Sequence, residues 1–251
     1  MSTVAKNYDA IHPRPPAPAS DEAFALSQLE DRLSPLLSVN AGMVDLTGFF
    51  TLGNIFTAHV SGNLVVVAAL AVRGGPLNLP QALAIPVFML ALAGVWLVAR
   101  ASNRRGSGLT RLLLVIQFLL LAGAFIFSVI TKPSASPHGL MAGVAAMIAV
   151  SAMACQYALF RLAMPRAIST AVMTGNLTNT VLSLMDALSQ GSPLMPIDAR
   201  RLKGSLYLLF GFLAGCVVAA AAISALGDWA WACPVVLAAV AVARATPSTA
   251  S

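Results

Sequence analysis

Charge is scarce in this chain, and acidic charge is scarcest. Only 10% of the 251 residues are Asp, Glu, Lys or Arg, and 9 of these are acidic. A soluble domain carries about 25% charged residues, so the composition excludes an ordinary soluble protein. Asp45 is the one acid between Asp31 and Asp186. With so few acids and no GxSxG, HExxH, Walker or GxGxxG string, the sequence indicates that the protein is not an enzyme.

Cysteine is also rare. The three cysteines, Cys155, Cys216 and Cys233, lie in or beside apolar runs and share no CxxC or Cys/His spacing. They are therefore predicted to be small packing residues, with no disulfide framework, no metal site and no cofactor. The net charge is +6, but the basic residues lie between apolar runs and form no basic stretch interleaved with aromatics. We therefore expect no nucleic-acid partner.

Long uncharged runs are what the chain has instead. Hydrophobic residues make up 58% of it, and the mean hydropathy is +0.83. A helix that crosses a bilayer needs about 20 mostly apolar residues. The pattern predicts an all-α fold, a polytopic transmembrane helical bundle with the lipid bilayer as its surroundings. The runs of suitable length are 81–99, 112–131, 133–160, 167–185 and 204–227.

The first 32 residues differ from the rest in kind. "HPRPPAPAS" is rich in proline and should be extended. "DEAFALSQLEDR" (21–32) is predicted to form a short amphipathic helix with Phe24, Leu26 and Leu29 on its apolar side. We therefore divide the chain into a Pro-rich cytoplasmic tail (1–32), a membrane domain (33–244) and a C-terminal tail (245–251).

The membrane domain contains an internal repeat. "HVSGNLVVVAALAV" (59–72) aligns with "VMTGNLTNTVLSLM" (172–185), so that Asn63 corresponds to Asn176. Each half, 33–131 and 139–244, then has four apolar segments in the same order. Duplicated modules of this kind are typical of transporters and channels.

The distribution of basic residues discriminates between two topologies. If every segment crosses, there are eight spans, and the Lys and Arg residues divide nine against six. If the segment with the Gly-Asn triplet re-enters in each half, six crossings remain, and only Arg73 and Lys132 lie opposite the other thirteen. The positive-inside rule favours the second arrangement, with both termini cytoplasmic. Three crossings per repeat imply inverted repeats, each with a broken or re-entrant segment.

Two isolated polar residues in the first half are candidates for a solute or ion path. A carboxylate deep in a span costs at least ~2.5 kcal/mol, so Asp45 is either a proton or cation site or a structural anchor bonded to nearby backbone, Asn40 or Thr47. His59 is either a proton relay or pore-lining donor, or a packed histidine. Val172 holds the corresponding position in the second half, which argues against a symmetric metal site.

The two triplets are Ser61-Gly62-Asn63 and Thr174-Gly175-Asn176. In one interpretation, Gly permits a break or a close backbone approach while Asn and Ser or Thr supply hydrogen bonds to a solute. In the other, small residues let two helices touch and Asn bonds across the contact.

The other polar residues of the second half indicate a function less specifically than the triplets do. Gln156 is added to the path candidates. Arg161 is either a headgroup anchor or the ion-pair partner of Asp45 or Asp186. Trp229 and Trp231 fit an aromatic belt at the extracellular end of the last span.

Together these stretches resemble a known family. "NAGMVDLTGFFTLGNIFTAHVSGNLV" (40–65) and "AVMTGNLTNTV" (171–181) resemble the YoaK-like group of bacterial integral membrane proteins, a family of unknown function. Ala41, Gly42, Asp45, Gly48 and Phe49 match its first element, and the Gly-Asn pairs match its triplets. Ser61 replaces the usual Thr, and Ala154 and Tyr157 replace a Gly and an Asn, although Gln156 is retained. The resemblance covers roughly 33–244 and implies the bacterial inner membrane.

Three hypotheses for function follow. The leading one is a transporter or channel for an unidentified small solute. The second is a structural or regulatory membrane protein whose triplets only pack helices, and the third is an intramembrane enzyme acting on a lipid-soluble substrate. Assembly into a homo-oligomer stays open.

Overall fold

The computed structural model describes residues 21–74, 78–170, 173–190 and 196–246, and in this part of the chain the regular structure is helical. Residues 1–20 of the predicted tail and the chain beyond 246 lie outside the described residues. The helices are α1 (Asp21–Thr51), α2 (Gly62–Arg73), α3 (Leu79–Ala101), α4 (Gly106–Thr131), α5 (Leu140–Leu162), α6 (Met173–Gln190), α7 (Pro196–Leu226) and α8 (Ala232–Arg244), with 3₁₀ turns at Pro133–Ala135 and Gly227–Trp231. The all-α class is confirmed.

The first helix is longer than the sequence predicts. The short amphipathic helix expected at 21–32 is the first part of α1, which continues through Pro35 to Thr51. Leu29 packs against the core, while Phe24 is exposed. The helix ends at Thr51, just before Gly53 and Asn54, which both adopt positive φ, at 78° and 60°.

Glycines let α1 and α7 pack with their backbones in contact. A Cβ on Gly42 would lie 2.2 Å from the carbonyl oxygen of Phe212, and one on Gly215 would lie 2.1 Å from that of Val39. The carbonyl of Pro35 faces Gly211, and that of Val39 faces Gly215, one turn further along both helices. The two helices therefore run parallel, in the small-residue packing common in membranes.

Helix α5 is the most enclosed of the long apolar helices in the described chain. In its most apolar window 72% of residues are buried, against 17% for α3. Its buried side chains are mainly small, which allows α1, α3 and α4 to approach closely. They include Ala142, Ala145, Ala146, Ala149, Ala152 and Ala154.

Several contacts define one end of the bundle, here called the far end. The side-chain amides of Asn78 and Gln81 donate to the carbonyl of Gly53, so α3 begins beside the end of α1. Ser134 donates to Asp228, which places the end of α4 beside the end of α7. The opposite end, where α5 ends at Leu162, is called the near end.

Four stretches of the described chain are long and apolar enough to cross a membrane. They are Leu79–Ala101, Gly106–Thr131, Leu140–Leu162 and Leu202–Arg244. The last has 43 residues and contains both α7 and α8, since the 3₁₀ turn at Gly227–Trp231 interrupts it. Apolar helices of crossing length therefore agree with an integral membrane protein, while six crossings and inverted repeats stay predictions.

Candidate functional site

Asp45 holds the loop that connects α1 to α2. This first loop, residues 52–61, folds back along α1, so that Asp45 Oδ1 accepts the backbone N–H groups of Thr57 at 2.8 Å and Ala58 at 2.9 Å. The carboxylate lies inside the protein, with its residue only 5% exposed. A charged acceptor with two backbone donors forms strong hydrogen bonds. Asp45 therefore fixes the path of the first loop.

His59 is the ionisable partner of Asp45. Its Nδ1 lies 2.7 Å from Asp45 Oδ2, a hydrogen-bond distance, and the contact is an ion pair only when the imidazole is protonated. The ring meets Phe212 of α7 edge-on at 5.0 Å, and 32% of the side chain is exposed. The Asp45–His59 pair was not predicted from the sequence. The available signal was that these two are the ionisable residues of one otherwise uncharged stretch, 33–72.

Asn63 anchors the other side of the first loop. Its Nδ2 donates to the carbonyl of Phe56 at 2.7 Å, and its Oδ1 accepts the backbone N–H of Phe56 at 3.0 Å. The residue is fully buried. A Cβ on the preceding Gly62 would lie 2.9 Å from the Phe56 ring, so glycine is needed for this close approach. Both polar groups of the Asn63 side chain are thus engaged by the loop itself.

Asn176 makes the corresponding contact in the second half. The second loop follows α5, and its described residues are 163–170. Asn176 Nδ2 donates to the carbonyl of Ser169 at 3.0 Å, seven positions earlier in the chain, the same interval that separates Asn63 from Phe56. Both asparagines lie just inside the start of a helix, α2 or α6. The aligned triplets therefore occupy similar local structures.

Gln156 of α5 connects α1, α4 and the second loop. Its Nε2 donates to the carbonyl of Leu37 at 3.0 Å and to Thr170 Oγ1 at 3.4 Å. Its Oε1 accepts from Gln117 at 2.7 Å and from Asn40 at 3.5 Å. The residue is fully buried. A polar network of this size inside a helical bundle specifies one arrangement of the helices.

Tyr157 follows Gln156 in sequence and contacts the first loop, where its hydroxyl donates to the carbonyl of Ala58. Adjacent residues of α5 thus bond to loops that leave opposite ends of the bundle.

The remaining predicted residues lie at the edges of this cluster. Ser61 and Thr174 are exposed, and Gly175 is half-buried. Arg161 is exposed in the last turn of α5, and among the described side chains no ion pair joins it to Asp45. The side chain of Asp186 lies outside the described residues. Trp231 is fully buried, with its indole N–H donated to Thr51 Oγ1, so it belongs to the core and not to an aromatic belt.

Five buried polar side-chain atoms of the first half have no partner within the described residues, and three of them lie close together in the sequence. These three are Asn40 Oδ1, Thr47 Oγ1 and Thr57 Oγ1. All three belong to α1 or the first loop, around Asp45. Buried polar groups are nearly always hydrogen-bonded, and exceptions point to a water, an ion or a functional site.

A cavity of about 580 Å³ opens at the near end, between α1, the second loop and α7. Its wall includes Asp31, Arg166, Ile168 and Lys203. Glu30 lies close to this cavity, and burial raises the pKa of its carboxyl above 4.5. A hydrogen bond from the backbone of Arg166 and the positive charge of Arg166 both lower that pKa and partly offset the effect of burial. The second loop thus forms part of a charged cavity.

No cluster of three or more His, Cys, Asp or Glu side chains suited to a metal occurs in the described parts of the chain. The cysteines are free, and Cys155 is buried. Taken together, the described residues form an all-α protein whose apolar helices are compatible with an integral membrane protein.

The chain belongs to a family of proteins of unknown function, DUF1275, whose match covers residues 33–243. No curated protein and no solved structure matches it. The expected membership of an uncharacterised family is confirmed, although the match does not carry the name YoaK.

Proposed function

We propose that the protein is a channel or transporter for a small polar solute, with a path between its two loops. The observation that carries this proposal is that the loops start at opposite ends of the bundle and are bonded to neighbouring residues of α5, Gln156 and Tyr157. Irregular backbone at membrane depth is tolerated where it is enclosed in protein or lines a water-filled cavity. Re-entrant segments are common in transporters and channels.

Helix directions support a re-entrant assignment for the first half. Gly53, just after α1, lies against Pro137, just before α5, and Leu37 lies against Gln156. Helices α1 and α5 therefore run antiparallel, as inverted repeats require of corresponding spans. Since α3 begins where α1 ends, the chain leaves α1 at the far end and enters α3 at the same end. In the proposed topology the near end is cytoplasmic, and thirteen of the 15 basic residues lie on that side.

The geometry suggests a division of labour among the polar residues. The Asn63 side chain is occupied by Phe56, so its role in the proposal is to shape the first loop and not to bind solute. The free acceptors of Asn40 and Thr57 are the proposed contacts for water or solute. At the near end, the cavity beside the second loop provides the cytoplasmic mouth. The proposal includes neither enzymatic activity nor a cofactor.

The hydrogen bonds of Asn63 favour the structural alternative, in which the triplets only pack helices. Because the polar atoms of Asn63 both bond within the first loop, its triplet has a role that needs no solute. Under this alternative the loops only lock the helix bundle, and the protein serves as a structural or regulatory component of the membrane.

Uptake by proteoliposomes discriminates between the transport function and the structural alternative. A panel of radiolabelled polar metabolites is screened with the wild type, with Thr57→Val and with the control Ser128→Ala. Both variants delete a buried hydroxyl that lacks a partner, but Ser128 lies on α4. We expect Thr57→Val to slow uptake and to keep the thermal unfolding midpoint, while Ser128→Ala keeps both. Uptake no faster than in empty liposomes for the whole panel argues for the structural alternative. Equal uptake by the two variants, above that of empty liposomes, keeps transport and overturns the solute contact assigned to Thr57.

The proposed topology is tested by cysteine labelling. Cysteines replace Arg73 and Gln190 in a chain whose three native cysteines are changed to alanine, and intact cells are labelled with a membrane-impermeant maleimide. Residue 73 is expected to react from outside, and residue 190 only after permeabilisation. Labelling of both positions from the same face contradicts inverted repeats.

A further inference from the structure

We propose that Asp45 and His59 form the site of a coupling proton, and that this proton locks the first loop in place. This inference rests on the proposed transport function, and it names the ion that drives or gates the flux. The pair has the composition of a proton site, since it combines a buried carboxylate with an imidazole that is partly open to its surroundings.

The contacts of His59 assign the position of the proton. An ionised carboxylate only accepts hydrogen bonds, so His59 Nδ1, at 2.7 Å from Asp45 Oδ2, carries a hydrogen in the neutral ring. His59 Nε2 makes no hydrogen bond within the described residues, and it is free to take up the incoming proton. The loaded pair is then carboxylate and imidazolium, with no net charge, whereas the unloaded pair leaves one negative charge inside the protein.

His59 is the proton acceptor in this proposal, because the other groups packed around the pair are a phenol and a thiol. From α5, the Tyr157 hydroxyl donates to the carbonyl of Ala58 in the loop that Asp45 holds, and from α7, the Cys216 thiol donates to the carbonyl of Gly42. Phenols and thiols ordinarily titrate above pH 8, whereas imidazole changes charge between about pH 5 and pH 8. The stretch 33–72 of α1, the first loop and α2 contains no other charged residue. Among the described side chains, Asp45 has no second cation to balance it.

Proton loading is connected to the loop through one carboxylate. Asp45 Oδ2 faces His59, while Oδ1 accepts the N–H groups of Thr57 and Ala58. When the proton leaves, the negative charge is uncompensated in a medium of low dielectric constant, and opening of the loop towards water relieves it. The loop is therefore held when the proton is bound and released when it is lost.

The N–H groups of Thr57 and Ala58 report this state directly. Hydrogen–deuterium exchange of the full-length protein in lipid nanodiscs is followed by mass spectrometry between about pH 5 and pH 8, with each rate divided by the intrinsic rate at that pH. Protection of the first loop is expected to rise at least about tenfold from pH 8 to pH 5, equivalent to about 1.4 kcal/mol. The rise should vanish in His59→Gln, which keeps a donor for Asp45 but cannot titrate, and in Asp45→Asn.

Controls separate this pair from other titrations. Glu30→Gln removes another buried carboxylate and should keep the full pH response of the first loop. Protection of residues 167–170 in the second loop should be the same in wild type and His59→Gln. A flat wild-type profile overturns the proposal even if both variants fold poorly, and so does a response that persists in His59→Gln. Protection that depends on sodium against choline but not on pH overturns the assignment to a proton.

Failure of this proposal differs from failure of the proposed function. A solute that is taken up at a rate independent of an imposed pH gradient overturns proton coupling and leaves transport intact. A pH-locked first loop without uptake of any solute supports the proton site and removes the transport function.

Discussion

Gln156 and Tyr157 are neighbours on α5, yet their side chains bond to two different loops, Gln156 to Thr170 of the second and Tyr157 to Ala58 of the first. Successive residues of a helix point in directions about 100° apart, so one short segment can reach both loops. Because the loops leave opposite ends of the bundle, this segment lies where they come together in the interior. A rearrangement of α5 at this point would affect both loops at once.

The hydrogen bond from Tyr157 to the first loop can be tested by removing one oxygen. Tyr157→Phe leaves the buried carbonyl of Ala58 without this donor, and we expect a loss of about 1–3 kcal/mol in the free energy of unfolding. Tyr207→Phe is the matched control, since Tyr207 is exposed on α7. Thermal unfolding in detergent measures both. Equal midpoints for the two variants would show that the contact contributes nothing.

Asn63 is expected to be more costly to remove than an ordinary polar residue of a helix. Asn63→Ala leaves the N–H and the carbonyl of Phe56 without their side-chain partners, at about 1–3 kcal/mol for each group. Asn179→Ala is the control, because Asn179 is exposed on α6 and should change stability by less than about 0.5 kcal/mol. Denaturant unfolding gives both values. A small effect at residue 63 would mean that water replaces the lost bonds.

Local patterns of the sequence predicted much of this structure. Uncharged runs predict the long helices, because length and apolarity are properties of a single segment. The break at Gly53 and Asn54 follows from residues that tolerate positive φ. The alignment of Asn63 with Asn176 predicts two similar substructures, and both asparagines do bond seven residues back.

Local sequence patterns do not predict contacts between segments that are distant in the chain. The ring of His59 reaches Asp45 only because the first loop folds back along α1, and no helical spacing encodes a return of 14 residues through irregular backbone. Trp231 illustrates the same limit. Its sequence position predicts a membrane interface, but the packing of the 3₁₀ turn against α1 buries it and provides Thr51 as the acceptor. Tertiary packing decides these cases, and composition alone does not determine it.

Close packing of α1 and α7 predicts strong intolerance of a methyl group at Gly42. In Gly42→Ala the new Cβ would lie 2.2 Å from the carbonyl oxygen of Phe212, so the helices must separate, at a cost of about 1–3 kcal/mol or more. In Gly123→Ala the new Cβ on α4 meets no atom within 4 Å. That change should be neutral or should stabilise the helix by up to about 1 kcal/mol. Thermal unfolding compares the two, and equal effects would contradict a tight contact between α1 and α7.

The buried carboxyl of Glu30 predicts a pH-dependent stability. Its pKa is raised in the folded protein, mainly because burial disfavours the charged form. Above pH 4.5, the ordinary pKa, the Glu30 carboxyl ionises more readily in the unfolded chain than in the folded protein. The free energy of unfolding therefore falls as the pH rises from 4.5 to the folded-state pKa. Above that pKa the carboxyl is ionised in both states, and the loss stays constant. Glu30→Gln avoids this loss and can still accept the backbone hydrogen bond from Arg166.

The unfolding midpoints of Glu30→Gln and wild type should therefore be close at pH 4 and should diverge towards pH 7, with the variant the more stable. Asp31→Asn provides a graded comparison, because the Asp31 charge contributes to the raised pKa of Glu30. In the Asp31→Asn background the midpoint difference at pH 7 should narrow without disappearing. A midpoint difference that does not change with pH would show that Glu30 is ionised equally in the folded and unfolded chains.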